Sequence, residues 1–164
     1  MSSPAAWRSR RASWRLCMLR LAGRALPTTA MVAGPLPDRA SLLLVRPDHL
    51  GDLLLTLPAI TGLRAALPQA RLTVLAGPWS AEILAQHPAI DQVLVCAFPG
   101  FDRRPRSQRP HPYALLLSEA ARLRSRRFDA ALIFRPDAWW AAMLCALSGV
   151  PRRYGFDVPE VQPF

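Results

Sequence analysis

Between one apolar run and the next the chain reads Arg46-Pro47-Asp48-His49-Leu50-Gly51-Asp52, so two carboxylates and an imidazole share one short turn. Asp52 opens the second run, where a helix is expected to start. A carboxylate there has two uses. It can accept hydrogen bonds from the free N–H groups of the first turn, as a cap, or it can face a ligand in front of the helix. Gly51 permits a tight turn and lets a ligand approach the backbone. The turn has no G-x-G-x-x-G dinucleotide fingerprint and is not a phosphate-cradling Walker loop. Taken alone, these residues describe a ligand crevice with a carboxylate in it, and both roles of Asp52 stay open.

The elements around the turn decide where it sits. Leu42–Arg46 is a short continuous apolar strand of the kind buried on both faces of a parallel sheet. A helix is expected from Asp52 to Leu67, with Pro58 beginning a new turn or kinking it and Pro68 ending it. A strand at Arg71–Ala76 follows, then a helix at Ala81–Gln86 with Ser80 as N-cap, and a strand at Gln92–Cys96. After the Pro- and Arg-rich loop 97–112 come a helix at Tyr113–Arg127, a strand at Ala130–Phe134, a helix at Ala138–Leu147 and a strand at Arg153–Gly155. This alternation predicts an α/β fold, an open parallel Rossmann-like sheet in the order 3-2-1-4-5. Ligands bind such sheets at the carboxyl ends of the strands, where the strand order reverses. The turn after the first strand lies there.

The net charge of +10 in 164 residues is unevenly spread. Residues 1–40 hold seven Arg and one Asp, while the remainder holds fourteen Arg and ten acids. All basic residues are Arg, with no Lys and no Asn, a bias that a GC-rich genome produces without selection for guanidinium chemistry. The basic, acid-poor residues 1–40 are expected to be a disordered extension, read in three ways: a targeting segment, an amphipathic helix on a membrane surface, or an extension from a start codon called too early, with Met31 just before the first strand. The folded domain is expected over 41–164. The cysteines, Cys17, Cys96 and Cys145, have neither metal-ligand nor disulfide-framework spacing. No metal or cofactor is expected, and a reducing cytoplasm fits.

The segment "LLLVRPDHLGDLLLTLPAITGLRAALPQARLTVLAGPWSAEIL" resembles the amino-terminal part of glycosyltransferase family 9, the lipopolysaccharide heptosyltransferases. "RRFDAALIFRPDAWWAAMLCALSGVPRRYGFD" resembles the same family further on, so the likeness covers about 41–157. It implies the first half of a two-domain GT-B enzyme. Such an enzyme passes heptose or a related sugar, with inversion, from a nucleotide-sugar donor of the ADP-heptose type to a Kdo-lipid A-like lipopolysaccharide core. Asp52 matches the family's general base.

His49 and Asp48 would orient Asp52, touch the acceptor, or simply be solvated; with Gly51, His49 is placed on the acceptor side. Arg103, Arg104, Arg106 and Arg109 match a basic region that meets the acidic acceptor, the alternative being an ordinary solvated charge run. Arg135, Pro136 and Asp137 are expected to line the same cleft, and Trp139 and Trp140 to pack at core and rim. The donor would be held by a carboxyl-terminal domain that these residues do not include, so the chain is expected to be a partial protein, inactive alone. The location implied is cytoplasmic, with peripheral contact at the inner membrane. The rival reading is a non-catalytic basic module binding anionic lipid or nucleic acid. Nucleic acid is disfavoured, because no recognisable binding motif is present.

Overall fold

A computed structural model describes Cys17, Met18, Arg20, Leu21, Gly23 and residues 34–164. Most of the basic extension, and with it the expectation of disorder there, lies outside the described residues; the five named residues are helical. The ordered alternation begins at β1 (Ser41–Arg46), followed by α1 (Leu50–Leu54), α2 (Leu57–Ala66), β2 (Arg71–Ala76), α3 (Ala81–Ala85) and β3 (Gln92–Val95). A 3-10 turn at Arg106–Gln108 precedes α4 (Pro112–Arg124), β4 (Ala130–Ile133), α5 (Trp139–Leu147) and β5 (Arg152–Tyr154).

The five strands form one sheet in the order β3-β2-β1-β4-β5, every pair parallel, as the alternation predicts. Register pairs Ser41 with Arg71 and Arg46 with Ala76 on one side of β1, and Leu42 with Ala130 and Val45 with Ile133 on the other. Side chains alternate across a strand, so β1 feeds two cores. Leu43 and Val45 pack with Leu116, Leu123 and Leu144 under α4 and α5. Leu42 and Leu44 pack with Leu53, Ile60 and Leu84 under α1–α3. All four are fully buried, which explains why β1 reads as an unbroken apolar run.

Two carboxylates finish the amino-terminal edge of the sheet. Asp91 accepts the Leu72 N–H at 2.6 Å and Asp129 accepts the Ser41 N–H at 2.8 Å. Strand starts that would leave buried donors unpaired are thereby satisfied.

The expected helix from Asp52 to Leu67 is two helices. Thr56 turns back to donate its hydroxyl to the Asp52 carbonyl at 3.0 Å and becomes the N-cap residue of α2. Pro58, which lacks an N–H, falls within the first two positions of α2, where none is needed. Ser80 occupies the N-cap position of α3 but makes no capping bond; its hydroxyl is buried without a hydrogen-bond partner among the described residues. Helix α4 ends three residues earlier than expected, and Arg127 beyond it takes a left-handed φ of 53°. No helix among the described residues is long and apolar enough to cross a membrane.

Candidate functional site

At the carboxyl edge of β1, Arg46 ties three segments together. Its guanidinium donates to the Phe134 carbonyl just past β4, and to the Asp52 carbonyl in α1 at 3.3 Å. Its Nε lies 2.8 Å from Asp48 Oδ2, an ion pair whose N–H does not point along the contact. Asp48 is 1 % exposed and meets a second cation from the far side, Arg135, which follows β4. Arg135 also binds Asp137 at 2.9 Å, and the two carboxylates hold its pKa above the ordinary arginine value. A buried anion survives only when charges and hydrogen bonds compensate it: the Asp48 carboxylate has the two cations, and its Oδ1 accepts a hydrogen bond from Arg135. The Trp79 indole N–H separately pins the Asp48 backbone carbonyl at 2.8 Å.

Asp48 is therefore neither solvated nor open to a ligand, and of the three roles left open for it in the sequence its burial is compatible only with holding the turn that carries Asp52. It is the internal counter-ion that fixes the turn, while Asp52, four residues on, is exposed. The Asp52 carboxylate makes no hydrogen bond or ion pair among the described residues, and the N-cap position of α1 belongs to His49. The cap role is not taken up. Gly51 lies in the first turn of α1 without a left-handed φ, and a Cβ added to it would meet nothing within 4 Å. The tight-turn reason for a glycine fails here, and open space in front of the backbone is what remains.

His49 is half-buried between two aromatic rings, 5.5 Å from Trp79 and 5.6 Å from Phe101. The Arg135 guanidinium sits 5.0 Å from the centre of the Phe101 ring, a cation–π contact. Trp79 reaches the turn because Gly77 has no side chain: a Cβ there would fall 2.2 Å from the indole. Beside this aromatic row opens a cleft of about 190 Å³, walled by Pro47, Phe101, Arg135, Asp137 and Trp139 among others. Arg135 and Asp137 line it, and Asp52 is not among its lining residues. Trp140 is core, with its N–H on the Pro112 carbonyl at 3.2 Å and its ring edge-on to Phe98.

The loop arginines do not act as one group. Arg104 grips Asp102 with contacts of 2.6 to 3.0 Å, and its guanidinium and backbone N–H hold the Asp102 pKa down at about 2. Arg109 donates to the Arg104 carbonyl at 2.5 Å and lines a second cleft of about 460 Å³ with Asp102 and His111. Arg103 is exposed, with no partner among the described residues. Arg106 falls in the 3-10 turn, and its side chain lies outside the described ones. Among the described residues no group of His, Cys, Asp or Glu gathers as a metal site.

Sequence reading gave Arg46 and Trp79 no part in the site. Arg46 stands inside the matched turn; the signal for Trp79 is the Gly-Pro-Trp at the carboxyl end of β2, the same edge of the sheet.

A parallel sheet in this order, with helices on both faces, is a Rossmann-like layer, the kind that forms one half of a GT-B fold. Solved structures of that class match it. E. coli ADP-heptose LPS heptosyltransferase II superposes with a TM-score of 0.59 at 21 % identity, covering 74 % of this chain and 32 % of its own. A glycosyl transferase family 9 protein from Veillonella parvula gives 0.60 at 20 % identity, with coverage of 76 % and 34 %. E. coli heptosyltransferase WaaC with ADP gives 0.57 at 22 % identity, with coverage of 76 % and 40 %. This chain thus spans a third to two-fifths of the length of those proteins and shares the fold of that portion. No family model and no curated protein matches it.

Proposed function

We propose that this chain supplies the acceptor-side half of an inverting glycosyltransferase of the family 9 kind, with Asp52 as general base. The observation that carries the reading is the contrast between the two carboxylates of the turn. Asp48 is sealed and committed to Arg46 and Arg135; Asp52 is exposed and uncommitted at the carboxyl edge of β1. A sugar hydroxyl is a poor nucleophile at neutral pH. A carboxylate within hydrogen-bond reach takes its proton as the new bond forms at the anomeric carbon. The bond to the nucleotide diphosphate breaks on the opposite face, and the diphosphate leaves with the electron pair, stabilised by electrostatics rather than protonation. One base and one displacement give inversion.

The donor proposed is ADP-heptose, named for the E. coli heptosyltransferase II that shares the fold. The acceptor proposed is a Kdo-bearing lipopolysaccharide core. His49, Phe101 and Arg135 are the groups that would meet it beside Asp52, with Arg103 and Arg109 further out along the loop. In the class this fold resembles, the nucleotide is held by the other half of the enzyme, so turnover is proposed to need that half. Heptose transfer to a Kdo-lipid A acceptor, measured with a donor-binding half supplied, tests the reading. Asp52→Ala is expected to abolish transfer while leaving the circular dichroism of the fold intact. Retained transfer in that variant removes the base, and robust turnover by the 164 residues alone removes the need for a second half.

A further inference from the structure

The amino edge of the sheet, opposite the edge that carries Asp52, has a cleft of its own. It encloses about 200 Å³ and is lined by Ser41, Arg71, Thr73, Gln92, Arg126 and Phe128. Strand register builds it. Ser41 pairs with Arg71 and Thr73 with Gln92, so these four side chains project from one face of β1, β2 and β3. Further along that face Leu43, Leu75 and Leu94 are core under α4. Arg126 and Phe128 come from the turn between α4 and β4.

Two guanidinium groups meet here without a carboxylate. Arg126 donates to Gln92 Oε1 at 3.0 Å, and Arg71 approaches the same oxygen to 3.5 Å; neither guanidinium has another partner among the described residues. Like charges gathered around one neutral oxygen repel, and an amide dipole offsets only part of that repulsion. The nearby acids are turned elsewhere. Asp91 accepts the Leu72 N–H and pairs with Arg64, Asp129 accepts the Ser41 N–H, and neither lines the cleft. The end of α4 adds no free acceptor from its last turn, because the carbonyls of Arg122, Leu123 and Arg124 already accept hydrogen bonds from residues 125–127. Thr73 is 1 % exposed, and neither its hydroxyl nor that of Ser41 makes a hydrogen bond among the described residues. The Gln92 amide nitrogen makes none either. Donors therefore converge on this recess, and no anion of the protein answers them.

We infer that the cleft binds a small soluble oxyanion of the phosphate type. The Arg71 and Arg126 guanidiniums form the charged clamp, a geometry that suits phosphate oxygens. The hydroxyls of Ser41 and Thr73 and the Gln92 amide N–H groups are the neutral donors. Volume selects the size. The cleft falls short of the roughly 300 Å³ at which pockets for drug-sized molecules begin, so a sugar nucleotide is too large, and free phosphate or a phosphoryl group on a small carrier fits. Contact with Thr73 requires entering the recess, which favours a free solute over a headgroup held in a bilayer. The cleft lies at the far edge of the sheet from Asp52, so the inference goes beyond the transfer reading and does not rest on it.

Titration of the full ¹⁵N-labelled chain with inorganic phosphate, at an ionic strength held constant with sodium chloride, tests it by NMR. Saturable shifts are expected in the amide signals of Ser41, Thr73, Gln92 and Phe128, and none when chloride alone is raised. Arg71→Gln and Arg126→Gln, at exposed side chains, are each expected to weaken phosphate binding about tenfold or more. Thr73→Val is expected to weaken it without lowering the melting temperature, since it deletes a hydroxyl that has no partner in the protein. A threonine with a merely structural role would leave the titration unchanged. Arg124→Gln, at an exposed arginine outside the cleft, is expected to bind phosphate as the wild type does. Dispersed amide spectra check that each variant is folded. Absence of saturable shifts, shifts centred elsewhere, or an affinity left intact in the folded Arg71, Arg126 and Thr73 variants overturns the inference. An equal loss in Arg124→Gln overturns it too, because it marks diffuse attraction to a basic surface. Sugar transfer enters none of these measurements.

Discussion

Replacing Asp48 by Asn keeps the side-chain volume and removes one charge. In the native turn that charge is 1 % exposed, between Arg46, whose side chain is 15 % exposed, and Arg135, at 30 %. Stripping one partner from a buried ion pair costs about 3–5 kcal/mol, because the remaining charge is left uncompensated. Two features lower the figure here. Arg135 keeps Asp137 and is partly solvated, and Arg46 keeps the carbonyls of Phe134 and Asp52. The expected loss is about 2–3 kcal/mol. In a chain of this size that lowers the melting temperature by roughly 4–12 °C.

Urea titration followed by far-ultraviolet circular dichroism measures it as a lower midpoint with an unchanged slope. Adding Arg135→Met to Asp48→Asn removes the cation that faces the neutralised side chain and should recover part of the loss. A change below about 0.5 kcal/mol, the range of ordinary surface substitutions, would show that Asp48 does not hold the turn.

Other residues give sharper contrasts at lower cost. Ser80→Ala should be neutral or stabilise by up to about 1 kcal/mol, since it deletes a buried hydroxyl with no partner; a capping serine would instead lose about 1 kcal/mol. Burial pushes the thiols of Cys96 and Cys145 up to about 12, while Cys17 is exposed. Iodoacetamide at pH 8 should therefore modify one cysteine per native chain and three after denaturation, as counted by mass spectrometry. The Asp102 pKa is depressed to about 2 by Arg104. Its contribution is then complete above about pH 4 and is lost as pH falls toward the folded value. Amide exchange in the loop 97–112 should rise over that window in the wild type and be already raised at neutral pH in Asp102→Asn.

The sheet was legible because its signals are local. Fully buried strands read as unbroken apolar runs, and Pro, Gly and Ser mark the places where the period changes from strand to helix. The break between α1 and α2 was half-visible: Pro58 announced a new turn, but the Thr56 hydroxyl folding onto the Asp52 carbonyl did not show. Legibility failed at Asp48. Its partner Arg135 lies 87 residues away and reaches it only because Val45 and Ile133 share a register. Trp79, 31 residues on, is in the same position. A charge inside a solvent-like turn sequence reads as solvated until the strands that converge on it are placed side by side. The loop arginines left two readings open, an anion-facing surface and an ordinary solvated run, and four of them in seven residues did not show that Asp102, adjacent in sequence, claims Arg104.

The most direct measurement is the steady-state rate of heptose transfer by Asp52→Asn, with acceptor and donor saturating and the donor-binding half present. The amide matches the carboxylate in shape but cannot take the acceptor proton. A base at this position predicts that kcat falls about 10²–10⁴-fold with the acceptor KM little changed. A kcat within about threefold of wild type would mean that the proton leaves by another route, and that the exposed carboxylate after β1 is not the centre of the chemistry.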